Sequence, residues 1–135
     1  MDLEQYIAAV KAKLAISPIV ASIEIVDERT LLNRGYFRAR LTLTNTDFLE
    51  IAESFALQND QPTTLNYRYQ WMDASKQILK KRWDSVKHFP NLPNFPHHIH
   101  VNSESNVEPG LSRNIMEFMD LIESELGSAN PLQTE

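Results

Sequence analysis

The chain has 135 residues, of which 42% are hydrophobic and 23% are charged, and its formal net charge at pH 7 is −5. This composition is typical of one compact globular domain and excludes a disordered or fibrous protein. Cysteine is absent, so disulfides, thiol catalysis and zinc sites built on thiolates are excluded.

The N-terminal segment predicts an amphipathic helix. Its apolar residues recur at helical spacing, and Asp2 can cap it together with Gln5 three places on. Pro18 disfavours helical geometry at Ser17, where the helix should end. Acidic residues stand where a signal peptide would be basic, and no apolar run approaches the ~20 residues that span a bilayer. We therefore expect a cytoplasmic protein.

The stretch from residue 19 to residue 84 predicts an antiparallel meander. Segments rich in β-branched and aromatic residues, several with alternating apolar and polar side chains, are separated by turns that are too short for parallel crossovers. One segment, FLEIAESFALQ, also fits a helix, but its position between strong strands favours a strand. The five predicted strands are 19–28, 36–44, 48–58, 65–71 and 77–84.

Positive charge is concentrated in the middle of the chain. Residues 34–100 hold nine Lys or Arg against six Asp or Glu, whereas the flanking segments hold four against twelve. This middle segment would attract an anionic ligand, unless charges of both signs merely solvate the sheet. Guanidinium groups suit phosphate, and the candidate phosphate-binding residues on the predicted strands are Arg38, Arg40, Arg68 and Arg82.

A proline-rich segment, HFPNLPNFPHHIH at residues 88–100, contains all four histidines of the chain. Its prolines recur every third residue, which predicts a polyproline II helix whose second edge carries Phe89, Leu92 and Phe95. We expect this apolar edge to dock on the domain. If the residues after Pro96 are extended, His98 and His100 point one way and His97 the other.

Three interpretations of the histidines remain open. The imidazoles at H-x-H spacing can share a metal ion, with His88 or Asp84 as a further ligand. They can instead act as general acid and base beside an arginine-bound phosphate. The third interpretation is structural, with the imidazoles hydrogen-bonded in an edge strand or a turn.

The C-terminal segment predicts a second helix. An apolar stripe runs from Leu111 to Leu126 and is ended by Gly127. The fold class we predict is α+β, with a five- to six-stranded antiparallel meander packed by an N-terminal and a C-terminal helix. The predicted single domain covers residues 1–127, and residues 128–135 are expected to be a flexible tail.

Residues 67–100 contain a series of motifs: an aromatic strand, an R-W-D segment, a histidine and a terminal F-P-H-H-x-H. Their positions are Tyr67, Arg68, Tyr69, Trp71 and Asp73, then Arg82, Trp83, Asp84 and His88, and finally Phe95, Pro96, His97, His98 and His100. This series resembles the TumE-like toxin proteins of bacterial and archaeal toxin–antitoxin systems. The resemblance implies a small cytoplasmic toxin that a cognate antitoxin restrains, and it implies no established mechanism.

Our leading hypothesis is a ribonuclease-like toxin that acts on RNA or another phosphate-bearing substrate, with no cofactor and no tightly bound metal. His98 and His100 would exchange protons in a water-accessible recess, with His88 as a further catalytic candidate, and Asp84 would orient an imidazole or an arginine. Arg68 and Arg82 would neutralise phosphate charge.

Two alternatives compete with this hypothesis. One is a metal-dependent hydrolase that uses His88, His98, His100 and Asp84, although the chain lacks an H-E-x-x-H pattern. The other is a binding module without catalytic activity. The expected partners are the antitoxin and RNA, no membrane is expected, and a homodimer is one assembly that the sequence allows.

Overall fold

Seven antiparallel strands form one sheet, and their order in the sheet is their order in the chain. The structure is a computed structural model and describes residues 1–128. The predicted α+β class is confirmed, but the sheet has seven strands and not five to six. The elements are α1 Leu3–Ile16, β1 Val20–Leu31, β2 Arg34–Leu43, β3 Phe48–Gln58, β4 Gln61–Met72, β5 Leu79–Asp84, β6 His98–Val101, β7 Val107–Pro109 and α2 Ile115–Ser128.

Helix α1 begins and ends where the sequence predicts. The side chain of Asp2 accepts a hydrogen bond from the backbone N–H of Gln5 at 2.7 Å, and the Gln5 side chain accepts one from the N–H of Asp2 at 2.9 Å. This reciprocal capping box satisfies two of the donors that a helix leaves free at its start. Ser17, just before Pro18, has extended backbone geometry and ends the helix.

The two helices cover one face of the sheet. Alternate residues of β2, β3 and β4 point towards α1 and α2, and burying each large apolar side chain contributes about 1.5–3 kcal/mol. Tyr67 and Tyr69 belong to this core, as their alternation predicts, and Tyr69 stacks on Phe118 of α2 at 4.4 Å between ring centroids. The fully buried members with the largest side chains are Tyr69, Phe37, Phe55, Phe118, Leu14, Leu41, Leu43, Leu49, Ile51, Ile115, Met119 and Ile122.

One carboxylate, that of Glu53, lies inside this core and is 1% exposed. It accepts hydrogen bonds from the hydroxyl of Tyr6, from the hydroxyl of Thr64 at 2.7 Å and from the backbone N–H of Ile115 at 3.1 Å. Burial raises the pKa of Glu53, although the three hydrogen bonds oppose this shift. Glu53 therefore ties α1, β4 and the first residue of α2 to the middle of the sheet.

The limits predicted for the second helix are wrong. The helix starts at Ile115, because Asn114 caps it: the Asn114 side chain accepts from the N–H of Glu117, and the Glu117 side chain accepts from the N–H of Asn114. Leu111 is exposed and lies outside the helix. The helix continues through Gly127 to Ser128. The rest of the predicted tail, residues 129–135, lies outside the described residues.

The proline-rich segment is not a polyproline II helix. Its backbone turns repeatedly, because Phe89 and Asn94 have φ angles of 58° and 63°, whereas polyproline II needs about −75°. The N–H of His97 donates to the carbonyl of Asn94 at 2.9 Å, which closes one of these turns. Phe95 is 41% exposed, so the expected apolar edge does not dock as a stripe. After the turns, His98–Val101 pairs with β5 as strand β6.

Candidate functional site

The face of the sheet opposite the helices is polar, and the strand register arranges its side chains in two rows. Residues paired directly across neighbouring strands lie on the same face, with about 4.8 Å between strands. We call these two lines of residues the arginine–histidine rows. One row runs Arg38, Ala52, Arg68, Asp84, His98, and the adjacent row runs Arg40, Glu50, Gln70, Arg82, His100.

These rows bring together most of the site residues that the sequence predicts. Both histidines of the H-x-H pair, Asp84 and all four candidate arginines lie in them. The predicted common orientation of His98 and His100 is confirmed. His88 lies outside the two rows. Its ring is exposed on the proline-rich segment and contacts the ring of Phe89, with 6.0 Å between ring centroids.

At one end of the rows, Asp84, His98 and His100 form a buried cluster that we call the acid–imidazole centre. Nε2 of His98 lies 2.9 Å from Oδ1 of Asp84, and Nε2 of His100 lies 3.7 Å from Oδ2. The three residues are 2–4% exposed. The ring of Phe89 covers both imidazoles, with ring centroids 5.3 and 6.1 Å away. The expectation of a water-accessible recess around the imidazoles is therefore wrong.

Backbone carbonyls fix which nitrogen of each imidazole carries a proton. Nδ1 of His98 lies 2.9 Å from the carbonyl oxygen of Pro96, and Nδ1 of His100 lies 2.9 Å from that of Glu104. A carbonyl oxygen can only accept, so each Nδ1 must donate. In a neutral ring, Nε2 then carries a lone pair that faces the centre. Within residues 1–128, Nε2 of His98 makes no hydrogen bond, although Oδ1 of Asp84 lies 2.9 Å away.

Arg82 is held beside the centre by two carboxylates. It donates from Nε to Asp84 at 3.2 Å, from Nη1 to Oε1 of Glu104 at 2.6 Å and from Nη2 to Oε2 of Glu104. The hydrogen bond with Glu104 raises the pKa of Arg82 and lowers that of Glu104. Glu104 was missed by the sequence analysis, because it lies in the β6–β7 loop and only the folded chain brings it to Arg82.

The other arginines of the rows differ in how they are paired. Arg38 and Arg40 share the carboxylate of Glu50 at 2.9 and 3.0 Å. Burial alone would raise the pKa of Glu50, but these two hydrogen bonds outweigh it and the net shift is downward. Arg68 is exposed and donates to the Gln70 side chain at 2.9 Å, without a carboxylate partner anywhere in residues 1–128. Arg68 is therefore the arginine most available to an anion.

A cleft of about 930 Å³ lies over the rows beside the acid–imidazole centre, and its wall includes Pro96 and His97, which directly precede His98. Arg68 is next to Asp84 in the strand register, so the cleft and the centre adjoin. Lys87 was not among the predicted site residues, although its place just before the proline-rich segment is visible in the sequence. The polar residues of the cleft wall include Arg38, Asn66, Arg68, Gln70, Lys87 and His97.

His97 points away from the acid–imidazole centre, as alternation predicts. Its Nδ1 lies 3.0 Å from the hydroxyl of Tyr67, and the two rings stack with 5.8 Å between centroids. Burial lowers the pKa of His97, and the neighbouring His98 adds to this shift. Burial, followed by the negative charge of Asp84, raises the pKa of Tyr67 to about 12. We read this pair as a support for the wall of the cleft.

Fold and site together define a class: a small α+β protein whose meander sheet has a helix-covered face and a polar face that carries arginines and a buried carboxylate with two imidazoles. The chain belongs to the TumE toxin family, since the family model described as "Toxin TumE" matches residues 8–126. The resemblance seen in residues 67–100 is thus confirmed. Searches of curated proteins and of solved structures found no match. Neither helix within residues 1–128 is long and apolar enough to cross a membrane.

Proposed function

We propose that this TumE-family toxin acts in the cytoplasm on RNA, a phosphate-bearing polymer that it binds on the arginine–histidine rows. The observation that carries the proposal is the register of β2 to β6, which aligns four arginines with one carboxylate and two imidazoles on a single face. Cations that bind phosphate and groups that can transfer protons are the two components that phosphoryl chemistry requires.

The cleft supplies the binding surface for the phosphates. Its volume of about 930 Å³ is in the range of small-molecule sites and can hold part of a nucleotide chain. Arg68 and Lys87 reach it without carboxylate partners among the described residues, so a phosphate can bind them without displacing an ion pair. The guanidinium of Arg68 can bind two oxygens of one phosphate at once.

The acid–imidazole centre supplies the reaction. In the proton-transfer mechanism, one imidazole accepts the proton of the attacking hydroxyl or water at Nε2, and the other donates a proton to the leaving oxygen. Arg82 neutralises charge on the phosphate, and Asp84 orients Arg82 by accepting the hydrogen bond from its Nε at 3.2 Å. Because Phe89 covers both rings, substrate reaches them only when the proline-rich segment moves Phe89 aside. A metal-dependent reaction at the same residues is the second mechanism, favoured by the unpartnered Nε2 of His98.

The test replaces the two buried imidazoles and compares them with an exposed one. A double variant with His98→Ala and His100→Ala should lose growth inhibition on induced expression and RNA cleavage by pure protein. The matched control is His88→Ala, which removes an exposed imidazole outside the rows and should keep both activities. Circular dichroism and the melting temperature confirm that the variants fold. Full toxicity of the folded double variant would refute the proposal.

A second test addresses binding through the salt dependence of RNA affinity. Each phosphate contact contributes to the slope of affinity against salt, so Arg68→Ala should reduce that slope by about 1. Lys11→Ala removes the same charge from α1, on the opposite side of the sheet, and should leave the slope unchanged. Equal slopes for the two variants would show that the cleft does not bind the RNA backbone.

The family also leads us to propose a partner, a cognate antitoxin that restrains the toxin. Its co-expression should restore growth of cells that make the wild-type chain. Size-exclusion chromatography with light scattering on the pure toxin then distinguishes a monomer from the homodimer that the sequence allows. Growth inhibition that no co-expressed neighbouring gene product relieves would count against the antitoxin.

A further inference from the structure

We infer that the acid–imidazole centre is a site for one divalent transition-metal ion of the zinc class. The ligand atoms are a carboxylate oxygen of Asp84 and Nε2 of His98 and His100, and all three lie within 4.8 Å of one another. A tetrahedral ion with bonds of about 2.0–2.1 Å separates its ligand atoms by roughly 3.3–3.5 Å. Nε2 of His98 lies 2.9 Å from Oδ1 of Asp84 and Nε2 of His100 lies 3.7 Å from Oδ2, so the carboxylate and both imidazoles are close enough to bind one ion.

The hydrogen bonds around the imidazoles are those of metal ligands. A histidine that binds a metal through one nitrogen usually donates the other N–H to a backbone carbonyl or a carboxylate, which fixes its orientation. His98 and His100 both do so, to the carbonyls of Pro96 and Glu104. Both rings therefore direct Nε2 inwards, and Nε2 of His98 is buried without a hydrogen-bond partner. Buried nitrogens that make no hydrogen bond are uncommon in folded proteins, and metal binding at Nε2 would account for this one.

The charges near the centre leave room for a divalent ion and one phosphate oxygen. The charged groups that face it are Asp84, Glu104 and Arg82, which together contribute one negative charge. A divalent ion makes the total positive by one, and a phosphodiester in the fourth ligand position restores neutrality. Three protein ligands and one open position are the arrangement of catalytic zinc sites.

The types of ligand select the ion. Two imidazoles and one carboxylate suit Zn²⁺, Co²⁺ or Mn²⁺, whereas Mg²⁺ and Ca²⁺ prefer sites made of oxygen atoms alone. In such a site the ion polarises a phosphoryl oxygen or a bound water. That catalytic role rests on the proposed function, but ion binding itself does not.

The experiment measures metal binding by the full chain, separately from RNA. Protein treated with chelator and dialysed is titrated with Zn²⁺ by calorimetry and with Co²⁺ by visible absorption, and we expect one ion per chain and an increase in melting temperature. His98→Asn keeps an amide that can donate to the Pro96 carbonyl but lacks Nε2, and should lower the affinity at least ~100-fold. His88→Ala should bind the ion like the wild type.

The possible results separate the two proposals. Wild-type protein that binds no ion stoichiometrically, or binding that His88→Ala removes and His98→Asn does not, would overturn the metal site. If RNA cleavage persists in protein shown to lack metal, the proposed function stands and the metal role fails. If the ion binds at the centre and RNA is neither bound nor cleaved, the metal site stands and the proposed function fails. Since the wild type alone decides the first outcome, misfolding of a variant does not prevent the test.

Discussion

Replacing Glu53 by leucine should strongly destabilise the fold, because it removes the acceptor that α1 and α2 share. The change keeps the side chain buried and similar in size, but the hydroxyl of Tyr6 and the N–H of Ile115 lose their partner. Both residues are buried, at 5% and 0% exposed, so water cannot replace the carboxylate. Thr64 is only partly buried and can turn its hydroxyl to solvent.

The size of the effect follows from these two donors. Each buried donor left without an acceptor costs about 1–3 kcal/mol, so Glu53→Leu should lower the free energy of unfolding by roughly 2–6 kcal/mol. Domains of this kind are stable by only ~5–15 kcal/mol. Glu53→Gln is the matched control, because its amide oxygen still accepts from Tyr6 and Ile115 while its NH₂ group donates to the Thr64 hydroxyl.

Urea unfolding followed by tryptophan fluorescence measures both variants. The control also tests the charge of Glu53, whose pKa is raised in the fold. A raised pKa contributes stability that is complete below the ordinary carboxyl value of 4.5 and is lost as pH rises through the folded value. The glutamine variant has no such loss, so its stability relative to the wild type should increase as pH rises above 4.5. A leucine variant as stable as the wild type, or a gain that shrinks as pH rises, would refute the reasoning.

Two further predictions concern packing. Gly35→Ala should lower the free energy of unfolding, measured in urea, by about 1–3 kcal/mol, because the new Cβ would lie 2.3 Å from Cε2 of the fully buried Phe55. Gly110→Ala is the control, because the nearest atom to its new Cβ is 3.2 Å away, and it should lower the free energy of unfolding less. A larger loss of stability for Gly110→Ala than for Gly35→Ala would contradict this packing. Phe89→Ala should uncover the acid–imidazole centre and speed diethyl pyrocarbonate modification of its two histidines relative to the wild-type protein, read by mass spectrometry. An unchanged modification rate would mean that Phe89 does not shield them.

The first helix and five strands could be predicted because their signals are local. Asp2 and Gln5 form the capping box that their spacing indicates. Alternation correctly places the buried residues of β2 and, in β4, Tyr67 and Tyr69, whereas Leu65, two places before Tyr67, is exposed. The strand after Pro96 was considered only as one possible edge strand, and the seventh strand was missed, because β6 and β7 have four and three residues, too few for a period to show. The true start of α2 was marked in the sequence by Asn114 and Glu117, three places apart, but the apolar stripe that continues back to Leu111 concealed it.

The candidate site was predicted only as far as local geometry reaches. Alternation is enough to place His98 and His100 on the same side of an extended chain. Their position opposite Asp84 depends on the register of β5 and β6, which no local pattern determines. The burial of the rings depends on the left-handed backbone of Phe89, a conformation rare for aromatic residues and therefore not expected from the sequence.

The sequential order of the sheet has a consequence for how the protein is made. Each strand pairs only with its neighbours in the chain, so hairpins can join one after another as the ribosome releases them. Arginine-bearing strands β2 and β4 emerge early, whereas His98, His100 and then the backbone carbonyl of Glu104 that orients His100 emerge late. A chain interrupted before residue 98 carries the guanidinium groups but neither imidazole of the pair. Incomplete translation products of this length would therefore lack both proton-transfer groups of the proposed reaction.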